Sequence, residues 1–187
     1  MKNFLIKFLI AALFLFSVCT SYAESDEIVT PYFTIQLPQT LKLTSHYKIP
    51  KQHFYHYVYM DGTQELHVTA LGHIPADKKQ YHAWEEQIFH SEINVFPQSH
   101  HLDMSKISKE SFKQKPELFQ LGKQNYVMGY MLYDNTVQTY FLVTIAKNMT
   151  YVIILLSRDK NPVIRAKQII SLVNSVKTMK FLGDRHA

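Results

Sequence analysis

At 187 residues the chain has room for one domain and a targeting segment. An apolar fraction of 47% with 13% aromatics excludes a disordered chain and supplies a full core. The formal net charge of +5 falls to +3 without Lys2 and Lys7, too mild a balance for a nucleic-acid binder, which needs a concentrated basic stripe.

Residues 1–23 read as a secretory signal peptide. Lys2 and Lys7 form its positive end, and residues 8–18 are an apolar run of eleven. Ser21 and Ala23 place small side chains at −3 and −1 of a cut between Ala23 and Glu24. The apolar run is short of the ~20 residues a membrane span needs. The reading is therefore an exported protein, periplasmic or secreted, with no stable membrane span once the leader is removed. Val18 precedes the single cysteine, Cys19, where a lipoprotein needs a small residue. The mature chain, residues 24–187, then has no cysteine and is held by its core alone.

The mature chain reads as a single α+β domain. Residues 24–30 are a polar lead-in expected to fray. In residues 32–37 Phe33, Ile35 and Leu37 alternate with polar neighbours, a half-buried strand stopped by Pro38. Residues 46–52 read as loop. Residues 53–60 and 63–71 flank Asp61-Gly62, a hairpin signal. A two-residue loop there puts Tyr55 opposite Val68 and Tyr57 opposite Leu66 on an apolar face. It puts His56 opposite His67 and Val58 opposite Glu65 on the mixed face. A bulge at Gly62 would shift that register. Asp77 opens a helix with Tyr81, Trp84 and Ile88 on its apolar side, fading over residues 91–94 before Pro97. Residues 98–121 hold either a short strand near 107–113 or a second helix.

Residues 123–157 organise the rest. They read as three antiparallel strands broken at Asp134-Asn135 and Lys147-Asn148, where Asx residues tolerate the left-handed backbone of tight hairpins. Counting across two-residue loops sets Tyr126, Met128, Tyr130 and Leu132 beside Val143, Phe141, Thr139 and Val137, and these beside Val152 and Ile154. Both faces are apolar, so each must be covered. Asn161-Pro162 starts a last helix with Val163, Ala166, Ile169, Ile170, Val173 and Val176 as its apolar stripe. Residues 179–182 add a final extended piece, and 183–187 a loose tail.

An F-x-I-x-LP strand (Phe33, Ile35, Leu37, Pro38), a hairpin, a helix, the meander and a closing IISLVNSV helix over residues 169–176 follow one another in this order. The order resembles the PsbP/Mog-like superfamily over about residues 31–182. Where such proteins often carry a Trp soon after the LP, this chain has Gln39 to Leu43. The resemblance implies an antiparallel sheet sandwiched between helices (α/β/α) and a role in binding or assembly. It carries over no site residues.

Catalytic signatures are missing: there is no G-x-S-x-G, no cysteine nucleophile in the mature chain and no glycine-rich phosphate loop. No catalytic residue and no cofactor are assigned. Ten histidines raise the question of a metal. His56 and His67 are the pair best placed to share an ion, with Glu65 as a third ligand. A bare pair falls short of the three or four ligands of a firm zinc site, so no metal site is assigned from sequence. The same pair also suits a pH-sensitive patch. His100-His101 reads as solvated loop, His82 and His90 as the wet side of the helix, and Glu85 and Glu86 as a solvated pair. Phe54, Tyr55, Tyr57 and Tyr59, with Tyr47, suit either sheet packing or an aromatic surface for a partner or glycan. The reading is a non-enzymatic protein that binds an unknown protein or small ligand in the envelope or outside the cell. The alternatives are a small metal-assisted hydrolase or a secreted effector.

Overall fold

The computed structural model describes residues 25–134 and 136–183. The expected leader, its cut between Ala23 and Glu24, Asn135 and the tail beyond Gly183 lie outside the described residues. The described chain is mixed α/β, with two antiparallel sheets. The larger has seven strands in the order β3-β4-β5-β9-β8-β7-β6: β3 (Lys42–Ile49), β4 (Phe54–Met60), β5 (Gln64–Leu71), β6 (Glu117–Leu121), β7 (Gln124–Tyr133), β8 (Thr136–Ala146) and β9 (Met149–Ser157). The smaller joins β1 (Ser25–Val29), β2 (Phe33–Pro38) and β10 (Lys180–Phe181). The helices are α1 (Tyr81–Ser99), the short α2 (Lys109–Lys113) and α3 (Pro162–Lys177).

The large sheet is covered on both faces. On one, Phe89, Ile93 and Phe96 of α1 bury against Val127, Met131, Phe141, Val143, Val152 and Ile154. On the other, Phe33, Ile35 and Leu37 of β2 and Ile169, Leu172 and Val176 of α3 bury against Tyr57, Leu66, Val68, Leu142, Ile153 and Leu155. Every residue of β9 is buried, as a strand apolar on both sides demands. Of the small sheet, the sequence predicts β2 and the extended piece at β10 but not β1, whose residues, SDEIV, carry no apolar alternation. It forms because Thr30 closes the turn into β2: its Oγ1 donates to the Phe33 carbonyl (2.8 Å) and accepts from the Phe33 amide (2.9 Å).

The meander departs from the expected register in one strand. Lys147 and Asn148 both adopt left-handed φ (51° and 61°), and β8 pairs with β9 as counted, Phe141 opposite Ile154 and Val143 opposite Val152. The β7–β8 hairpin also closes as counted, at Tyr133 opposite Thr136, but a bulge then places Gln138 between the Met131–Thr139 and Leu132–Val137 pairs. Beyond it every β7 side chain changes face. Val127, Gly129 and Met131, not Tyr126, Met128 and Tyr130, share the α1 face with Phe141 and Val143. The segment before β6 holds the bulge. Ser111 Oγ accepts from the Leu132 amide (3.0 Å), the Leu132 carbonyl accepts from the Ser108 amide (3.0 Å), and Gln114 brackets the Tyr130 peptide from both sides. Residues 98–121 therefore hold a short helix and an edge strand. The lead-in and the supposed loop at 46–52 also contribute strands, β1 and β3.

The last helix starts where expected: Asn161 Oδ1 accepts from the Val163 (2.9 Å) and Ile164 (3.4 Å) amides. Its buried side is Arg165, Ile169, Leu172, Ser175 and Val176, whereas Val163 is 61% exposed. The first helix begins after a 3-10 turn that Asp77 caps at the Lys79 amide (2.9 Å), and it runs through Pro97 to Ser99. Its buried side is Phe89, Ile93 and Phe96, one step around from the expected Trp84 and Ile88, because the two phenylalanines seat edge-on against Phe141. Gly129 makes this approach possible, since a methyl group there would overlap the Phe89 ring. No described helix is long and apolar enough to cross a membrane.

Candidate functional site

Polar groups gather on the α1 face at the β4–β5 hairpin. The hairpin turns at Gly62-Thr63 rather than Asp61-Gly62. Asp61 Oδ1 accepts from the Thr63 (3.2 Å) and Gln64 (3.1 Å) amides, and Oδ2 accepts from Gln64 Nε2 (2.7 Å). This clamp moves the turn by one residue and the register by two, which leaves the faces unchanged. His56 therefore lies opposite Thr69, and His67 opposite Val58. The expected direct pairing of His56 with His67 is corrected to a diagonal contact, with ring centroids 5.6 Å apart. Tyr55, Tyr57 and Tyr59 are buried on the opposite face, where their rings line a cavity rather than an open aromatic surface. Tyr47 stays 56% exposed, edge-on to Phe54.

The third imidazole, His100, falls where the sequence predicts solvated loop. Because α1 continues through Pro97, His100 arrives as its C-cap, stacked on Phe96 at 3.8 Å and edge-on to His67 at 4.9 Å. Sequence reasoning missed it because Pro97 reads as a helix stop. Near the end of α1 the proline costs little: the chain still closes through the His100 amide to the Phe96 carbonyl (3.0 Å) and the Leu102 amide to the Pro97 carbonyl (2.8 Å). His101 points away at φ 52° and is exposed. His82 pairs with Glu86 on the surface (3.4 Å), and His90 lies edge-on to Phe89. Glu85 is not fully solvated, since its Oε1 accepts from the Ile145 amide (2.9 Å) and burial raises its carboxyl pKa.

Glu65 is the hub. Its Oε2 accepts from His67 Nε2 (2.9 Å) and its Oε1 from Arg158 Nε (2.6 Å), just beyond β9. Burial works against the carboxylate, but these two hydrogen bonds and the Arg158 charge outweigh it and hold the group at about 2. Burial, and then the neighbouring His67 and His100, lower His56 to about 4. Burial and His67 also lower His100. His56 Nδ1 meets Thr69 Oγ1 at 2.8 Å, and His100 Nδ1 meets the Phe96 carbonyl at 3.0 Å. His67 is buried, and its Nδ1 is without a hydrogen-bond partner among the described residues. One ligand atom each from Glu65, His67 and His100 lies within 4.8 Å of the other two.

A separate cavity of about 410 Å³ opens on the other face, between the small sheet and the β3–β4 edge. Val29, Tyr32, His46, Lys48, Tyr55 and Tyr57 are among its walls. Tyr32 stacks on Tyr55 (3.8 Å) and His46 on Tyr57 (4.6 Å). No carboxylate of the described residues lines it. A narrower apolar pocket of about 50 Å³ lies under α3, beside Met128, Tyr140 and Ile169. Neither borders the histidine cluster.

No protein-family model matches the chain, and no curated protein is similar to it. Among solved structures, a crystal structure from Bacteroides thetaiotaomicron is similar at 10% identity and a TM-score of 0.46, over 83% of this chain. The chain spans about half that protein's length, 47%.

Proposed function

We propose that this is an exported protein that works by binding a small ligand rather than by catalysis. The observation that carries the reading is the separation of cavity from chemistry. The open cavity has aromatic walls and, among the described residues, no carboxylate. The carboxylate and its imidazoles lie on the opposite face of the sheet, with Glu65 and His67 buried and neither cavity beside them. A hydrolase needs its acid, base or metal at the substrate's position. Stacked rings with Lys48 at the rim suit a ring-bearing anion, held by its face and by charge. Export is supported by the leader pattern of residues 1–23. The α/β/α arrangement of the PsbP/Mog-like superfamily is supported by the covered faces of the meander and by the helix that follows it.

The test uses an anionic aromatic dye, anilinonaphthalene sulfonate, with the folded protein at pH 7. Saturable binding that weakens at least several-fold in both Lys48→Glu and Val29→Trp supports the cavity. Binding unchanged in both variants refutes it. N-terminal sequencing of protein recovered outside the cytoplasm should begin at Glu24.

A further inference from the structure

We propose that Glu65, His67 and His100 form a binding site for a divalent transition-metal ion of the zinc class. The site is independent of the cavity described above. Two imidazoles and one carboxylate are the donor set that borderline ions such as Zn²⁺ prefer. The three come from different places, two from neighbouring residues of one face of β5 and one from the end of α1, and yet their ligand atoms already lie within 4.8 Å of one another. Such convergence in a buried setting differs from a chance surface grouping. His67 and Glu65 are 2% and 5% exposed.

The hydrogen bonding around the rings fits ligation. A metal-binding histidine usually gives its second ring nitrogen to a carboxylate or a backbone carbonyl, which fixes its tautomer. Here the Phe96 carbonyl can accept from His100 Nδ1–H, leaving a lone pair on Nε2. Glu65 meets His67 at Nε2 (2.9 Å), so an ion seated between the two takes the place of the Nε2 proton, and the ring keeps its proton on Nδ1. His56, with its ring 5.6 Å from His67 and its Nδ1 on Thr69, is the nearest further imidazole.

Arg158 is the competitor. Its guanidinium bonds Glu65 Oε1, and its side chain is 41% exposed. An incoming dication takes over the Glu65 carboxylate and displaces that charge. Removing Arg158 should therefore tighten metal binding, an outcome not expected of an ion held elsewhere on the surface.

The experiment is calorimetric titration of ZnCl₂ into protein purified without a histidine tag and stripped with chelator, with thermal melts in parallel. The expected result is one ion per chain. Binding should weaken at least about tenfold in His100→Gln, by the loss of one ligand. Arg158→Gln should bind about tenfold tighter, and His82→Ala should bind as wild type. His100 is only half-buried at a helix end, so its substitution should leave the fold intact where Glu65→Gln or His67→Ala fails to fold. No saturable uptake, uptake indifferent to His100→Gln, uptake lost in His82→Ala, or no gain in Arg158→Gln would each overturn the site.

Discussion

Replacing Gly129 with alanine tests the side of β7 that faces α1. The added methyl would overlap the Phe89 ring, and Phe89 is fully buried with its edge against Phe141. Overpacking of this kind costs about 1–3 kcal/mol. For a domain of this size the melting temperature should fall by roughly 2–4 °C per kcal/mol. Phe89→Ala alone should cost about 3–5 kcal/mol by opening a cavity. Together the two changes should cost less than their sum by more than about 0.5 kcal/mol, because the methyl enters space the ring has left. Urea denaturation of the four proteins measures the cycle. If Gly129→Ala is neutral, or the two costs simply add, then the β8 bulge at Gln138 does not turn Gly129 toward α1, and the reasoning from register to packing fails.

Other outcomes follow from single residues. Asn161→Ala removes the acceptor for two amides at the start of α3 and should cost about 1 kcal/mol in thermal or urea unfolding. Burial raises the Glu92 carboxyl pKa, so its ionised form is a burden on the fold at neutral pH. Glu92→Gln should therefore melt higher at pH 7, with the advantage shrinking as pH falls through the raised pKa and gone below the ordinary value of 4.5. Glu65 works in the opposite direction. Its depressed pKa contributes stability that is present above 4.5 and lost as pH falls toward about 2. Arg158→Gln should remove part of that contribution, about 1 kcal/mol at pH 7 once its exposure is discounted, and shift acid unfolding to higher pH.

Much of this architecture was legible as pattern. The meander, its turn at Lys147-Asn148, the cap at Asn161 and the two apolar faces all announce themselves through periodicity and turn chemistry. What was not legible depended on contacts distant in sequence. The bulge at Gln138 is held by Ser111 and Gln114, residues in the stretch that was hardest to read. The hairpin register turned on which atoms the Asp61 carboxylate accepts from, not on the Asp-Gly pair itself. The site shows the same division. His67 and Glu65 share a face by simple alternation and were paired from sequence. His100 joins them only because a helix passes through a proline, and no local signal records that. Arg158 lies 93 residues from Glu65, beyond any motif's reach.

The outermost strand of the large sheet, Lys42–Ile49, has seven of its eight residues exposed. Its far rim of peptide groups is open to another chain, the geometry from which fibrils grow. Lys42 and Lys48 guard that border with charge, and the irregular step between Leu43 and Ser45 spoils its straightness. Exchanging both lysines for valine should leave the interior untouched and make strand-by-strand stacking easier.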